Sequence, residues 1–156
     1  IQDLRSLFRS KDHVLERFSK MIDYKVESNI DVEEMKSTSN KDNLFELIML
    51  RLEAMQTYKV ALRNILSSAK EQPIILKKLS KNIINSLDFY LELSSYYDDT
   101  PVDFLKKNAI FFIYSLTFRV WLNDESDDLS KTMAELDKFL SMADKANEKI
   151  TSFLSV

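Results

Sequence analysis

The chain has 156 residues, a formal net charge of −3 and an apolar share of 45%, which is enough to bury one substantial core. It has no cysteine, which excludes disulfides and thiolate metal sites, and its single histidine disfavours a zinc site. It also has no glycine, which excludes phosphate-cradling loops and the strained serine turn of hydrolases and argues against a sheet protein with tight turns. We therefore expect an all-α protein that is not an enzyme and that uses no cofactor or metal.

The first third of the chain predicts two helices and a loop. Residues 1–8 form a short basic segment with helical spacing, and Ser10 is a suitable N-cap for the next helix. Apolar residues then recur at helical spacing from Val14 to Val26. The polar segment 29–42 predicts a loop.

The middle of the chain predicts an interrupted helix and then a second one. Apolar residues at helical spacing begin near Asp42 and reach Met55, and residues 56–57 break the pattern before it continues to Leu66. Pro73 suits a first helical position, because its missing N–H has no partner there. It predicts a helix that ends near Leu93.

The sequence predicts two long helices after residue 100. Thr100 and Pro101 predict the cap and first turn of a helix that is apolar on almost all sides to Leu122, so we expect this helix to be central. Residues 126–128 predict the cap of the last helix. That helix carries a heptad-like seam, suited to packing against another helix at a shallow angle. The seam contains Leu129, Met133, Leu136, Leu140, Ala143, Asn147, Ile150 and Leu154.

The charged and apolar runs predict a soluble, cytoplasmic protein. Acidic residues cluster at 98–99 and 124–128, where helix caps and solvated turns explain them better than a calcium loop, which needs glycine. The longest apolar run, 109–122, is shorter than the ~20 residues of a membrane-spanning helix. Membrane association is therefore disfavoured, and no apolar leader opens the chain.

The segment from Leu4 to Lys11 resembles the end of the DNA-binding unit in the tetracycline-repressor (TetR) family. That family has Leu-Tyr, two variable residues, Phe, one variable residue and Ser-Lys before an apolar helix. Leu4, Phe8, Ser10 and Lys11 occupy those places here, and Arg5 replaces the tyrosine. The resemblance implies a TetR-like helical bundle. Residues 1–28 would be the remnant of a helix-turn-helix domain with its connecting helix, and residues 29–156 the ligand-binding and dimerisation domain.

A second resemblance covers residues 97–140. Residues 119–122 (Arg-Val-Trp-Leu), an acidic turn and residues 132–137 (Thr-Met-Ala-Glu-Leu-Asp) resemble the end of the regulatory domain in a TetR subgroup. The lipid-binding proteins of coenzyme-Q biosynthesis share this superfold and are similar here. The resemblance leaves two functions open: a transcriptional regulator controlled by a small ligand, or a lipid- or isoprenoid-binding accessory protein of ubiquinone biosynthesis with a vestigial head.

The family resemblance implies two macromolecular partners. Double-stranded DNA would contact Gln2, Arg5, Arg9 and Lys11, although ordinary surface charge on a helix pair is the alternative. A second copy of the chain would pack on the last two helices, although a hairpin buried within one chain is the alternative. The interface candidates are Trp121, Leu129, Met133, Leu136, Leu140, Ala143, Asn147 and Ile150.

Aromatic and aliphatic residues of the middle helices are candidates for an apolar pocket between bundled helices. An aromatic row at helical spacing is also typical of an ordinary core. No buried charge partner stands out in the sequence, so we expect a small apolar ligand or lipid. The pocket candidates are Phe45, Ile48, Tyr58, Leu62, Phe89, Tyr90, Phe111, Phe112 and Phe118.

Overall fold

The computed structural model of the chain describes residues 11–154, and these form a bundle of helices without a strand. The all-α prediction is confirmed for this part of the chain, and the helix predicted over residues 1–8 lies outside it. None of the described helices is both long and apolar enough to cross a membrane. The helices are α1 (Lys11–Glu27), α2 (Val32–Ser37), α3 (Asn40–Ala54), a 3₁₀ turn (Gln56–Tyr58), α4 (Lys59–Lys70), α5 (Pro73–Leu93), α6 (Asp103–Asn123) and α7 (Ser130–Leu154).

Helix α3 occupies the centre of the bundle and contacts α1, α5, α6 and α7. Its buried face repeats at three and four residues, and Leu44, Ile48 and Leu52 are fully buried. The prediction that α6 is central is therefore right only in part. Ile110 and Trp121 of α6 are fully buried, but another face of the same helix is exposed in the single chain.

The segment 29–42 is not the continuous loop that its polarity predicts, because it contains α2. The Asp31 carboxylate accepts hydrogen bonds from the backbone N–H groups of Glu33 at 3.0 Å and Glu34 at 3.2 Å. The two glutamates also place negative charge at the positive end of the helix dipole. Capping thus stabilises a helix of six residues that has no apolar stripe.

The last two helices begin later than their sequence caps predict. Helix α6 begins at Asp103, whose carboxylate accepts from the backbone N–H groups of Asp98 and Thr100, so Pro101 lies in the preceding turn. Helix α7 begins at Ser130, after a turn in which Asp128 accepts from the Ser130 N–H at 3.1 Å. An acid just before the helix start thus caps α7, whereas the first N–H groups of α6 have no side-chain cap among the described residues.

The turns of this glycine-free chain use other residues where the backbone is left-handed. Ser95, Asp99 and Leu129 have φ of 54°, 56° and 54°. Ser95 ends α5 in the position that glycine usually takes, and the Tyr96 N–H donates to the Leu91 carbonyl at 2.9 Å. Each such residue costs about 1 kcal/mol relative to glycine, which the surrounding packing must offset.

The heptad-like seam of α7 packs largely inside the single chain, and the predicted dimer interface stays a prediction. Trp121, Leu129, Leu136 and Leu140 are buried in the single chain, and Met133 packs against the same core. Side chains already covered by their own chain have no area left for a second copy. The other three predicted interface residues are not fully buried, and they border a shallow groove between α6 and α7: Ala143, Asn147 and Ile150.

Candidate functional site

A cavity of about 260 Å³ lies between α1, α4, α5 and α6, with the end of α3 as its floor. Its walls are mostly aliphatic and aromatic because each of these helices turns its apolar face inward. The residues that line it are Leu15, Phe18, Ser19, Arg51, Met55, Leu62, Ile65, Leu66, Leu76, Leu79, Ser80, Asn82, Ile83, Phe111, Tyr114, Ser115 and Phe118.

Arg51 is the one charged residue among those lining residues, and it is 3% exposed. Its Nη1 atom forms an ion pair with Asp23 of α1 and donates to the Tyr90 hydroxyl at 3.2 Å. Its Nε atom donates to the Tyr114 hydroxyl at 3.2 Å, and Nη2 donates to the Ser19 hydroxyl at 3.2 Å. The guanidinium thus joins α1, α3, α5 and α6 at the polar end of the cavity.

Asp23 completes this buried network from the outer side. Its Oδ1 atom also accepts from the Tyr90 hydroxyl at 2.8 Å, and its Oδ2 accepts from the Ser86 hydroxyl at 2.7 Å. Burial would lower the pKa of Arg51, but Tyr114, Tyr90 and Asp23 outweigh it and hold that pKa above its ordinary value. The positive guanidinium and the negative carboxylate therefore cancel inside the bundle.

Two hydrogen-bond donors of the network have no acceptor among the described residues. Arginine has five N–H groups, and the contacts of Arg51 use four of them, which leaves one on Nη2. The Tyr114 hydroxyl accepts from Arg51 but donates to no described group. Burial raises the pKa of Tyr114, so its hydroxyl keeps its proton at neutral pH.

A larger, polar groove of about 530 Å³ lies on the other side of this network, between α1 and α5. Ser19 and Asn82 border both the groove and the cavity. Charges of both signs line the groove, among them Lys20, Lys81 and Asp23. We take the smaller cavity as the candidate site because its walls are apolar and a few polar groups converge at one end.

The predicted pocket residues are divided among several places. Leu62, Phe111 and Phe118 line the cavity. Ile48 and Tyr90 are fully buried core residues, and Tyr58 packs edge-on against Phe18 with ring centroids 5.1 Å apart. The remaining three lie elsewhere: Phe45 lines a separate depression beside α2, Phe89 borders the polar groove, and Phe112 is exposed on α6.

Only one of the four predicted DNA contacts lies among the described residues. Gln2, Arg5 and Arg9 lie outside the described residues, and Lys11 is the first residue of α1. Their role stays a prediction. No family model, curated protein or solved structure matches this chain.

Arg51 and Asp23 are two of the site residues that sequence reasoning missed. Arg51 falls at helical spacing with Leu44 and Ile48, which places its side chain on the buried face of α3. A charge on an apolar face signals a buried partner, because an unpaired buried charge is too costly. That spacing could have found Arg51, but nothing in the sequence names Asp23 as its partner across 28 residues.

Proposed function

We propose that this chain is the ligand-binding part of a TetR-like transcriptional regulator that binds operator DNA as a homodimer. One observation supports this above the others: α1, which follows the segment resembling the DNA-binding unit, forms a wall of the apolar cavity. Leu15, Phe18 and Ser19 of α1 line it. A ligand there touches the helix that would connect to a DNA-reading head.

Coupling between the two sites would run through α1. The helix is held to α3 and α5 by the Asp23 network and to the cavity by its apolar residues. A ligand that fits one position of α1 better than another favours that position by its differential affinity. DNA affinity then changes by the same coupling free energy, typically 1–3 kcal/mol.

The cavity volume favours a small ligand over the alternative function of isoprenoid binding. About 260 Å³ accommodates on the order of ten non-hydrogen atoms, as judged from apolar cavities that hold benzene. A polyisoprenoid chain has several times that number and would extend beyond the cavity. We therefore place the lipid-binding accessory protein second.

The homodimer is proposed on the exposed face of the α6–α7 hairpin, which shares Ile150 with the predicted interface. Leu105 and Phe112 of α6 are 56% and 63% exposed, and Ile150 of α7 is 41% exposed. With Ala109 and Ala146 they form an apolar strip along the α6–α7 hairpin, and all but Phe112 border the shallow groove. Two antiparallel hairpins that meet through such a strip form a four-helix bundle.

A charge on the apolar strip should separate the two copies. We expect Phe112→Glu to raise the dimer dissociation constant by at least about 30-fold, the effect of losing an aromatic hot spot at an interface. Sedimentation equilibrium measures it directly. Val60→Glu is the matched control, since Val60 is 70% exposed on α4, and it should leave the dimer intact. If the unmodified protein stays monomeric at high concentration, the proposed homodimer is wrong.

DNA binding is tested by gel shift with the natural full-length protein and the DNA upstream of its own coding sequence. A dimer that contacts six phosphates through Arg5, Arg9 and Lys11 should lose about 10³-fold in affinity between 50 and 200 mM salt. Lys11→Gln should reduce the slope of log affinity against log salt concentration by about two, one for each copy. Lys145→Gln, at an exposed position of α7, should leave that slope unchanged. Absent or salt-insensitive binding overturns the regulator proposal.

A further inference from the structure

The polar end of the cavity offers hydrogen-bond donors that no described residue uses, which restricts the ligand. Both Asp23 oxygens already accept from Arg51, Tyr90 and Ser86. Because the Ser86 hydroxyl donates to Asp23, the Ser19 hydroxyl is left to donate to Ser86, 3.2 Å away. The donors left over are the Tyr114 hydroxyl and one N–H of Arg51.

The charge balance of the same network restricts the ligand further. The charges of Arg51 and Asp23 cancel, and no other charged residue lines the described cavity. A carboxylate would add an uncompensated negative charge to an apolar space, and such burial costs far more than the burial of a neutral group. A neutral acceptor can instead occupy the spare donors without adding charge.

We infer that the cavity selects an apolar molecule of about ten non-hydrogen atoms with one uncharged acceptor oxygen, such as a ketone carbonyl. This inference rests on the proposed ligand-binding function and specifies its ligand. The apolar part lies against Leu62, Phe111 and Phe118, and the carbonyl accepts from the Tyr114 hydroxyl.

The other polar residues of the cavity do not change this assignment. Ser115 is satisfied by its own helix, since its hydroxyl donates to the Phe111 carbonyl at 2.8 Å. Ser80 and Asn82 are partly exposed, so water can reach their polar groups. Tyr114 differs from them because it is 2% exposed and has a proton to donate. An unused buried donor is costly, and a ligand acceptor removes that cost.

The test compares three probes of similar size by isothermal titration calorimetry at pH 7: propiophenone, propylbenzene and 4-ethylbenzoate. Propiophenone carries a neutral carbonyl, propylbenzene carries no acceptor, and 4-ethylbenzoate carries a negative charge. We expect propiophenone to bind the unmodified protein at least about tenfold more tightly than 4-ethylbenzoate, because the carboxylate must be buried unpaired. This comparison needs no variant.

Tyr114→Phe isolates the hydroxyl, because it keeps the ring that lines the cavity. It should weaken propiophenone binding about fivefold, the effect of one hydrogen bond, and leave propylbenzene binding within about twofold. Tyr96→Phe is the control, because this buried tyrosine does not line the cavity, and it should change neither affinity.

Four results would overturn the inference, and they separate it from the proposed function. Equal loss of both neutral probes in Tyr114→Phe, or no loss of either, removes the role of the hydroxyl but leaves the cavity as a ligand site. Tightest binding of 4-ethylbenzoate shows that Arg51 is available to anions. Binding of none of the three overturns the cavity as a ligand site as well, while the gel shift still decides DNA binding independently.

Discussion

Replacing Asp23 with alanine is expected to lower the free energy of unfolding by about 3–5 kcal/mol, the largest effect of any substitution proposed for this chain. The change leaves the Arg51 guanidinium buried without its counter-charge, and it removes the acceptor of the Tyr90 and Ser86 hydroxyls. Urea unfolding, followed by circular dichroism, gives the difference. The midpoint should fall without a large change in slope.

The cost arises from burial and not from the loss of an ion pair as such. Asp137→Ala, which breaks the exposed pair with Lys41, should therefore cost less than about 1 kcal/mol. The double variant Asp23→Leu with Arg51→Met removes both charges and should be more stable than Asp23→Ala. A loss below about 1 kcal/mol in Asp23→Ala would contradict a desolvated Arg51.

Asp124→Ala is expected to lower the free energy of unfolding by about 2–3 kcal/mol at pH 7. The Asp124 side chain is buried between α6 and α7, and it accepts four hydrogen bonds. Two come from the backbone N–H and hydroxyl of Ser126, at 3.1 and 2.5 Å, and two from those of Thr132, at 2.9 and 2.7 Å. The substitution leaves the buried Thr132 groups without an acceptor.

The contribution of Asp124 should depend on pH in a defined direction. Burial would raise the pKa of Asp124, but the hydrogen bonds from Ser126 and Thr132 outweigh it and hold the pKa well below the usual value. Since the folded pKa is the lower one, the stabilisation is complete above the unfolded pKa of about 3.9 and is lost as the pH falls below it.

Urea unfolding at two pH values measures this dependence. The difference between the unmodified protein and Asp124→Ala should be smaller by about 1 kcal/mol at pH 3 than at pH 7. Asp127→Ala, in the exposed part of the same turn, is the control and should show a small difference at both. A difference that is the same at pH 3 and pH 7 would contradict a depressed pKa.

Sequence periodicity predicted the long helices well because each one has an apolar face at helical spacing. Pro73 begins α5 as predicted, and the break at residues 56–57 is a 3₁₀ turn. Helix α2 was missed because capping by Asp31 stabilises it, and a short capped helix has no apolar period to detect. Helices α6 and α7 begin later than predicted because the residues assigned to their caps, 100–101 and 126–128, lie in the preceding connections.

Periodicity could not identify the partner of an apolar face. The seam through Leu136 and Leu140 has the spacing of a dimer interface, but it packs within the chain. A face that includes Phe112 remains exposed on α6 instead. Both faces are apolar at three and four residues, so only the tertiary arrangement distinguishes them.

The cavity was predictable in kind but not in composition. Bundled helices with bulky apolar faces commonly enclose such a space, and Leu62, Phe111 and Phe118 were identified from the sequence. The polar end was not, because it joins Ser19, Arg51 and Tyr114 from three helices. Contacts between residues so far apart in the chain depend on helix packing, which a single sequence does not specify.

The position of Trp121 gives the protein a built-in optical reporter. It is the one tryptophan in the chain, and its ring lies 5.2 Å from that of Phe118, which lines the cavity. The Lys59 ammonium lies 5.1 Å from the centroid of the same indole ring. The indole N–H is buried and has no hydrogen-bond partner in the described part of the chain. A molecule that enters beside Phe118 therefore alters the surroundings of the sole tryptophan fluorophore, so occupancy of the cavity can be followed by emission without any label.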